Sequence, residues 1–118
     1  MKNKISIIVG GTGQLGINLA QLLLRKNYKV FVTTRNITLK PNEIFYFAGQ
    51  SSPFLSFKKS NITYLSNVKG CRNFLEVIHK IKSKCKFVNA ASSEIFAETK
   101  NKLVVSSKKT PISPYGES

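Results

Sequence analysis

Seven consecutive residues, Gly10-Gly11-Thr12-Gly13-Gln14-Leu15-Gly16, stand between an apolar β-branched run and a helical pattern. Their types and spacing suit a phosphate. Glycines let the backbone turn sharply and approach an oxygen-rich ligand closely, and the start of the following helix offers free N–H groups and a positive dipole end. The segment reads as GxGxxG from Gly11 or as GxxGxxG from Gly10. A glycine triplet alone is weak, but a strand before, a helix after and a second strand at the right distance point to dinucleotide binding by Gly10, Thr12, Gly13, Gln14, Leu15 and Gly16. The ordinary alternative is a tight turn that only packs helix on strand. A site for NAD carries an acid about twenty residues beyond the glycines, to hold the ribose hydroxyls. No acid lies between Lys2 and Pro41, and Arg35 stands near the end of the second strand. A guanidinium there could pair with a 2′-phosphate, which favours NADP over NAD; a solvated surface arginine is the alternative.

The elements that must position these residues follow from hydrophobic periodicity. Ile5 to Val9 (ISIIV) is the continuous β-branched run of a strand buried on both faces of a parallel sheet. Leu15 to Lys26 repeats at helical spacing, with Leu15, Leu19, Leu22 and Leu23 on its apolar stripe and Asn27 as its stop. Lys29 to Thr34, Glu43 to Ala48 and Lys86 to Ala91 read as three further strands. Asn61 to Ile81 is a long helical pattern with Leu65, Val68, Phe74, Leu75 and Ile78 on one stripe, ending in His79, Lys80, Lys82 and Lys84, which complement a helix C-terminus. The remainder, up to Pro114-Tyr115, is polar and loop-like.

Composition narrows the class. The chain has 118 residues, 42% of them hydrophobic and 20% charged, which fits one globular domain with a modest core and excludes collagen-like, disordered and disulfide-scaffold chains. No run approaches the roughly eighteen apolar residues of a membrane span. The stretch Ile5 to Val9 is too short for a signal peptide and runs into glycines, so a cytoplasmic protein without a membrane partner is expected. Nineteen Lys+Arg against five Asp+Glu give a net charge of +14. Such a field attracts nucleic acid, anionic membranes or phosphorylated small molecules, although a generally lysine-rich composition is the plainer reading. No OB, RRM or zinc-finger signature is present and the aromatics are expected in strands rather than on a basic face, so nucleic acid is not the expected partner. Cys71 and Cys85 have no CxxC or metal-ligand spacing; they read as reduced, buried hydrophobes, and no metal is expected.

Three downstream pieces carry a resemblance: Phe47-Ala48-Gly49-Gln50-Ser51, Ala91-Ser92-Ser93-Glu94-Ile95-Phe96 and Ser113-Pro114-Tyr115-Gly116. With the glycine turn and Asn67-Val68-Lys69-Gly70 opening a helix, they resemble the extended short-chain dehydrogenase/reductase (epimerase/dehydratase) family, and within it the GDP-mannose 4,6-dehydratases. The resemblance covers nearly all of the chain, and the SSE and PYG pair is its specific part. It implies an NADP-dependent hydro-lyase acting on a nucleotide sugar, GDP-mannose, in a homo-oligomeric full-length parent. Sister epimerases and reductases, or a nucleotide-binding module without catalysis, are the alternatives. Residue by residue, it implies that Ser92 hydrogen-bonds the sugar near its reacting carbon and that Glu94 removes the proton beside the new ketone. Tyr115 would deprotonate the sugar hydroxyl, and Ala48 and Gln50 would join the cofactor-binding set. A tyrosine titrates near 10, so a neutral-pH base needs its phenolate stabilised. The resemblance assigns that task to the nicotinamide and to a lysine at position 119, where this chain has already stopped. Each residue has an ordinary alternative: a turn cap for Ser92, a surface ion-pair partner for Glu94, a packed loop aromatic for Tyr115.

One departure concerns the fold. Between Arg35 and Glu43 lie only residues 36–42, where a helical crossover needs a dozen or more. The resembling sequences place a further helix and strand here, with an aspartate that contacts the adenine. Seven or eight extended residues reach up to about 27 Å, and a return along one strand and across two strand spacings takes roughly 22 Å. A direct passage is therefore possible, and it leaves one sheet edge unpaired and part of a face bare. The expectation is an α/β, Rossmann-like doubly wound parallel sheet, truncated, in the order 2-1-3-4. Residues 1–118 would form an incomplete NAD(P)-binding domain without its substrate domain.

Overall fold

The computed structural model describes residues 4–32 and 41–118. In chain order its elements are β1 (Ile5–Val9), α1 (Gln14–Arg25), β2 (Lys29–Val32), β3 (Glu43–Tyr46), α2 (Pro53–Lys58), α3 (Ser60–Tyr64), a π-helical turn (Leu65–Lys69), α4 (Gly70–Lys80), β4 (Lys86–Asn89), a 3₁₀ turn (Ser93–Ile95) and α5 (Pro114–Glu117). They divide into two compact units: Met1–Ala48 with Cys71–Ala90, and Gly49–Gly70 with Ala91–Ser118.

The first unit holds a four-stranded parallel sheet in the order β2-β1-β3-β4. This is the expected order, with flanking helices in the Rossmann manner. Glu43 stands opposite both Ser6 of β1 and Lys86 of β4, so β3 lies in parallel register between β1 and β4. Ser6, Ile7 and Ile8 are fully buried, as a β-branched run in a central strand requires. The Ser6 hydroxyl is accommodated by donating to a Glu43 carboxylate oxygen at 3.4 Å. Ile44, Tyr46 and Leu23 complete the core, and Phe74 of α4 meets the Tyr46 ring edge-on with centroids 5.5 Å apart. Among the described residues β2 is an edge strand, and Val32 on it is 41% exposed.

Two expectations about helices need correction. The inward stripe of α1 is buried Gly16 and Leu23 with half-buried Leu19 and Ala20 between them, whereas Leu15 and Leu22 are exposed. The helix is turned so that Gly16, which has no side chain to keep it away, faces the glycine turn. The long pattern over 61–81 is present as α3, the π turn and α4 in succession. The π turn inserts one residue, which shifts the helical phase by about 100° relative to an uninterrupted helix. Of the expected stripe, Val68, Phe74 and Ile78 are half-buried, whereas Leu65 and Leu75 are exposed.

Both long helices end on a residue in the left-handed conformation. Asn27 (φ +60°) follows α1, with the amides of Asn27 and Tyr28 donating to the carbonyls of Leu24 and Leu23. Lys82 (φ +48°) follows α4, with the amides of Lys82 and Ser83 donating to His79 and Ile78. Each is a Schellman ending, and the sequence marked only the first, because asparagine tolerates that conformation and lysine does not advertise it. Cys71 and Cys85 are free and half-buried rather than fully buried.

The second unit is built of short pieces. The stretch after β4 expected to be loop contains the 3₁₀ turn and runs into α5, and α2 precedes α3 in a segment for which the sequence carried no expectation. Two of these announce themselves by a serine followed by proline: Ser52-Pro53 and Ser113-Pro114 each place a hydroxyl at the N-cap and proline at the first helical position. Not all aromatics are in strands either. Phe54 and Phe57 of α2 and Tyr64 of α3 are exposed, and the Lys58 ammonium lies 4.6 Å from the Phe54 ring centre. No helix among the described residues is long and apolar enough to cross a membrane.

Candidate functional site

In the first unit the chain leaves β1 at Val9 and enters α1 at Gln14 through the glycine turn. Gly10 has φ +83°, and a Cβ there would lie 2.8 Å from the Ala48 amide nitrogen and the Phe47 carbonyl carbon. Only glycine fits both the conformation and the space. A Cβ on Gly16 would run into the Gly11 Cα and come within 2.6 Å of the Gly10 carbonyl, so the close seating of helix on turn also needs a bare backbone. The Gly13 amide donates to Gly10 O at 3.1 Å, and Gly13 then serves as an N-cap with no side-chain hydrogen bond. The first turn of α1 carries no acid. Its leading N–H groups therefore keep their positive potential for an anion, and Thr12, Gly13, Gln14 and Leu15 are exposed around it. A turn that bare backbone at Gly10 and Gly16 keeps tight, at an uncapped helix start, fits a pyrophosphate. Half-buried Ala48 closes the turn from β3. Arg35, the residue expected to choose between NADP and NAD, lies outside the described residues.

The second unit contains Gln50, Ser92, Glu94 and Tyr115. The Gln50 side chain folds back on its own loop, its Nε2 donating to Ser52 O at 2.8 Å and its Oε1 accepting the Ser52 amide at 3.0 Å. Its side-chain amide is thus engaged within the loop. The Gln50 backbone is held in turn by Asn67, a residue the sequence marked only as part of a helix-opening motif.

Ser92, Glu94 and Tyr115 sit on two small capped turns. Ser92 Oγ accepts the Glu94 amide at 3.2 Å, capping the 3₁₀ turn. That is the turn-capping role, yet accepting leaves the hydroxyl proton for a ligand. Glu94 is half-buried, and among the described residues no basic side chain lies within ion-pair distance of it; the ion pair there is Arg72 with Glu76 on α4. Tyr115 opens α5, where Ser113 Oγ accepts the Gly116 amide at 3.0 Å. Its own amide donates at 3.1 Å to the hydroxyl of fully buried Ser56 on α2. The two turns are pressed together: a Cβ on Gly116 would overlap the Glu94 carbonyl, and Thr110 N–H donates to Ile95 O at 2.9 Å. The fold thus brings the segments of Ser92, Glu94 and Tyr115 to one place, as half-buried side chains on backbone that caps fix. Ser56, which holds the Tyr115 turn, carries no signal a single sequence could reveal, and Asn67 was marked only by its motif and not for this role. No group of three or more metal-ligating side chains occurs among the described residues.

Among known proteins, the family model for GDP-mannose 4,6 dehydratase matches residues 37–118, that is, everything after the glycine turn and β2. The curated GDP-mannose 4,6 dehydratase 2 of Caenorhabditis elegans is 26% identical over 157 aligned positions, covering 96% of this chain and 41% of that protein. That span exceeds the length of this chain, so the relative carries extra residues inside the matched region. Among solved structures, a dTDP-4-dehydrorhamnose reductase from Bacillus anthracis in complex with NADP superposes with a TM-score of 0.86 at 21% identity, over 99% of this chain and 46% of that one. A UDP-glucose 4-epimerase from Brucella ovis in complex with NAD gives 0.84 at 18%, over 97% and 44%. At these identities the solved structures show the fold. The chain spans less than half the length of each.

Proposed function

Because this chain belongs to the GDP-mannose 4,6 dehydratase family, we propose that it supplies the cofactor cradle and the proton-transfer residues of an NADP-dependent sugar-nucleotide 4,6-dehydratase acting on GDP-mannose. The observation that carries this reading is the gathering of Ser92, Glu94 and Tyr115 on two turns locked against each other. The curated relative is a GDP-mannose dehydratase by name, and the solved relatives hold NADP or NAD.

NADP held at the Gly10–Gly16 turn would supply the hydride acceptor for C4 and the hydride donor for C6, so no net reduced cofactor would appear. Tyr115 takes the proton of the C4 hydroxyl as that carbon is oxidised, with the Ser92 hydroxyl hydrogen-bonded to the same oxygen. The new ketone acidifies C5, and Glu94 removes the C5 proton as water leaves across C5 and C6. The Gly10–Gly16 turn and the start of α1 hold the cofactor's pyrophosphate through backbone N–H groups. Arg35, with no acid between Lys2 and Pro41 to hold a ribose hydroxyl, selects the 2′-phosphate of NADP.

Two measurements test this. NADP should bind more tightly than NAD, and Arg35→Asp should abolish the preference; equal affinities that the substitution leaves unchanged would remove the basis for NADP. Mass analysis of GDP-mannose incubated with NADP should show no keto sugar at a useful rate with the 118 residues alone, which span 41% of the curated relative. Losing general-base support typically costs about 10² to 10⁴ in rate, and lost positioning removes more. Robust turnover, abolished by Tyr115→Phe, would show that the further length of the relatives is dispensable.

A further inference from the structure

We propose that Asn67 is a positioning residue that ties the Gln50 backbone to the Tyr115 turn, holding the cofactor loop and the proton-transfer turn of this unit with one side chain. The role rests on the functional reading of Gln50 and Tyr115 given above; the tie itself rests on geometry. Asn67 Oδ1 accepts the Gln50 amide at 2.8 Å, and its Nδ2 donates to the Gln50 carbonyl at 3.0 Å. The second Nδ2 hydrogen goes to Ser118 Oγ at 3.0 Å, and that hydroxyl donates to the Tyr115 carbonyl at 2.8 Å.

Donors and acceptors alternate along this chain of groups without conflict. A backbone amide can only donate and a backbone carbonyl can only accept, so the orientation of the Asn67 amide is fixed by its partners. Ser118 gives its single proton to Tyr115 and accepts from Asn67 on a lone pair. Ser66, next in sequence, places its hydroxyl 2.7 Å from Asn67 Oδ1 and 3.3 Å from the Gln50 nitrogen, reinforcing the acceptor side. Both residues lie in the π turn, a local deformation that is uncommon in helices and frequent at functional sites. The tie spans seventeen residues on one side and fifty-one on the other. It joins two segments that local caps alone would leave independent.

The test combines amide hydrogen exchange at Gln50 with NADPH titration, in the wild type, Asn67→Asp, Ser118→Ala and Ser118→Thr. Asn67→Asp is nearly isosteric but replaces a donor with an oxygen facing the Gln50 carbonyl and Ser118. Ser118 is exposed, so Ser118→Ala leaves the fold intact. Both should raise Gln50 exchange about three- to tenfold, the effect of one net hydrogen bond, and weaken NADPH binding by a similar factor. Ser118→Thr, which keeps the hydroxyl, should restore both. Exchange at Ile7 and Ile8 in the sheet should stay unchanged; a parallel rise there would mean general destabilisation and would overturn the proposal. Unchanged Gln50 exchange would overturn it as well. Variants that bind NADPH as the wild type does would refute the positioning role even where exchange responds. A wild type that binds no NADPH would defeat the functional reading instead, and the exchange data would then judge the tie alone.

Discussion

Two thiols and a phenol in the first unit give the protein a pH signature. Burial pushes the Cys71 thiol above its ordinary value of 9.0. Burial, and then the Glu43 carboxylate, do the same for Cys85. Burial, with Cys71 adding to it, raises the Tyr46 phenol above 10.0. A group whose folded pKa lies above its unfolded value holds its proton more tightly when folded, so its contribution is fully present below the unfolded pKa and is lost as pH rises through the folded one. Urea melts should show stability falling from about pH 9 upward, with Cys71→Ala/Cys85→Ala reducing the slope; an identical slope in the double variant would exclude the thiols as its source. At this same scale the sequence was informative where a residue type has few uses. The glycines at 10 and 16 and the SSE and PYG pieces were legible for that reason. Ser56 and Asn67 were not, because serines and asparagines abound in this chain and only the fold decides which of them face a backbone amide.

Among the elements, the C-terminal ending of α4 makes the sharpest prediction. Lys82 occupies the left-handed position of a Schellman ending, where a side chain bearing a Cβ is strained and glycine is not. Lys82→Gly should therefore stabilise the protein by about 0.5–1 kcal/mol, offset in part by the flexibility that glycine adds to the unfolded chain. Thermal and urea midpoints check it, and a destabilisation would show that the lysine side chain contributes something its conformation conceals. All four strands were legible, and so was their order, because β-branched runs and a link of seven residues leave few ways to build a parallel sheet. β1 ends at Val9 as expected, β3 and β4 end two residues before Ala48 and Ala91, and the expected end of β2 at Thr34 lies outside the described residues. The interruption of the 61–81 helix was hidden, since a π turn is one extra residue and leaves the apolar count unaltered. The stripe of α1 lies one position away from its leucine pattern because a glycine, rather than a leucine, sets the face that approaches the turn.

For the molecule as a whole, one proposal carries the rest, that the glycine turn holds a dinucleotide. The +14 charge favours any phosphorylated ligand and cannot by itself discriminate among them. Discrimination comes from the turn, and Gly13 allows it to be tested without disturbing the fold. Gly13 has φ −76°, which any residue adopts, and a Cβ there meets nothing nearer than the Gly10 carbonyl at 3.4 Å. A larger side chain would occupy the space in which a pyrophosphate approaches the start of α1. The most direct measurement is a fluorescence titration of NADPH into the wild-type chain and into Gly13→Val, with thermal melts of both. The expected result is saturable binding to the wild type, at least a tenfold loss of affinity in Gly13→Val, and melting temperatures that agree. Failure of the wild type to bind, or undiminished binding by Gly13→Val, would contradict it.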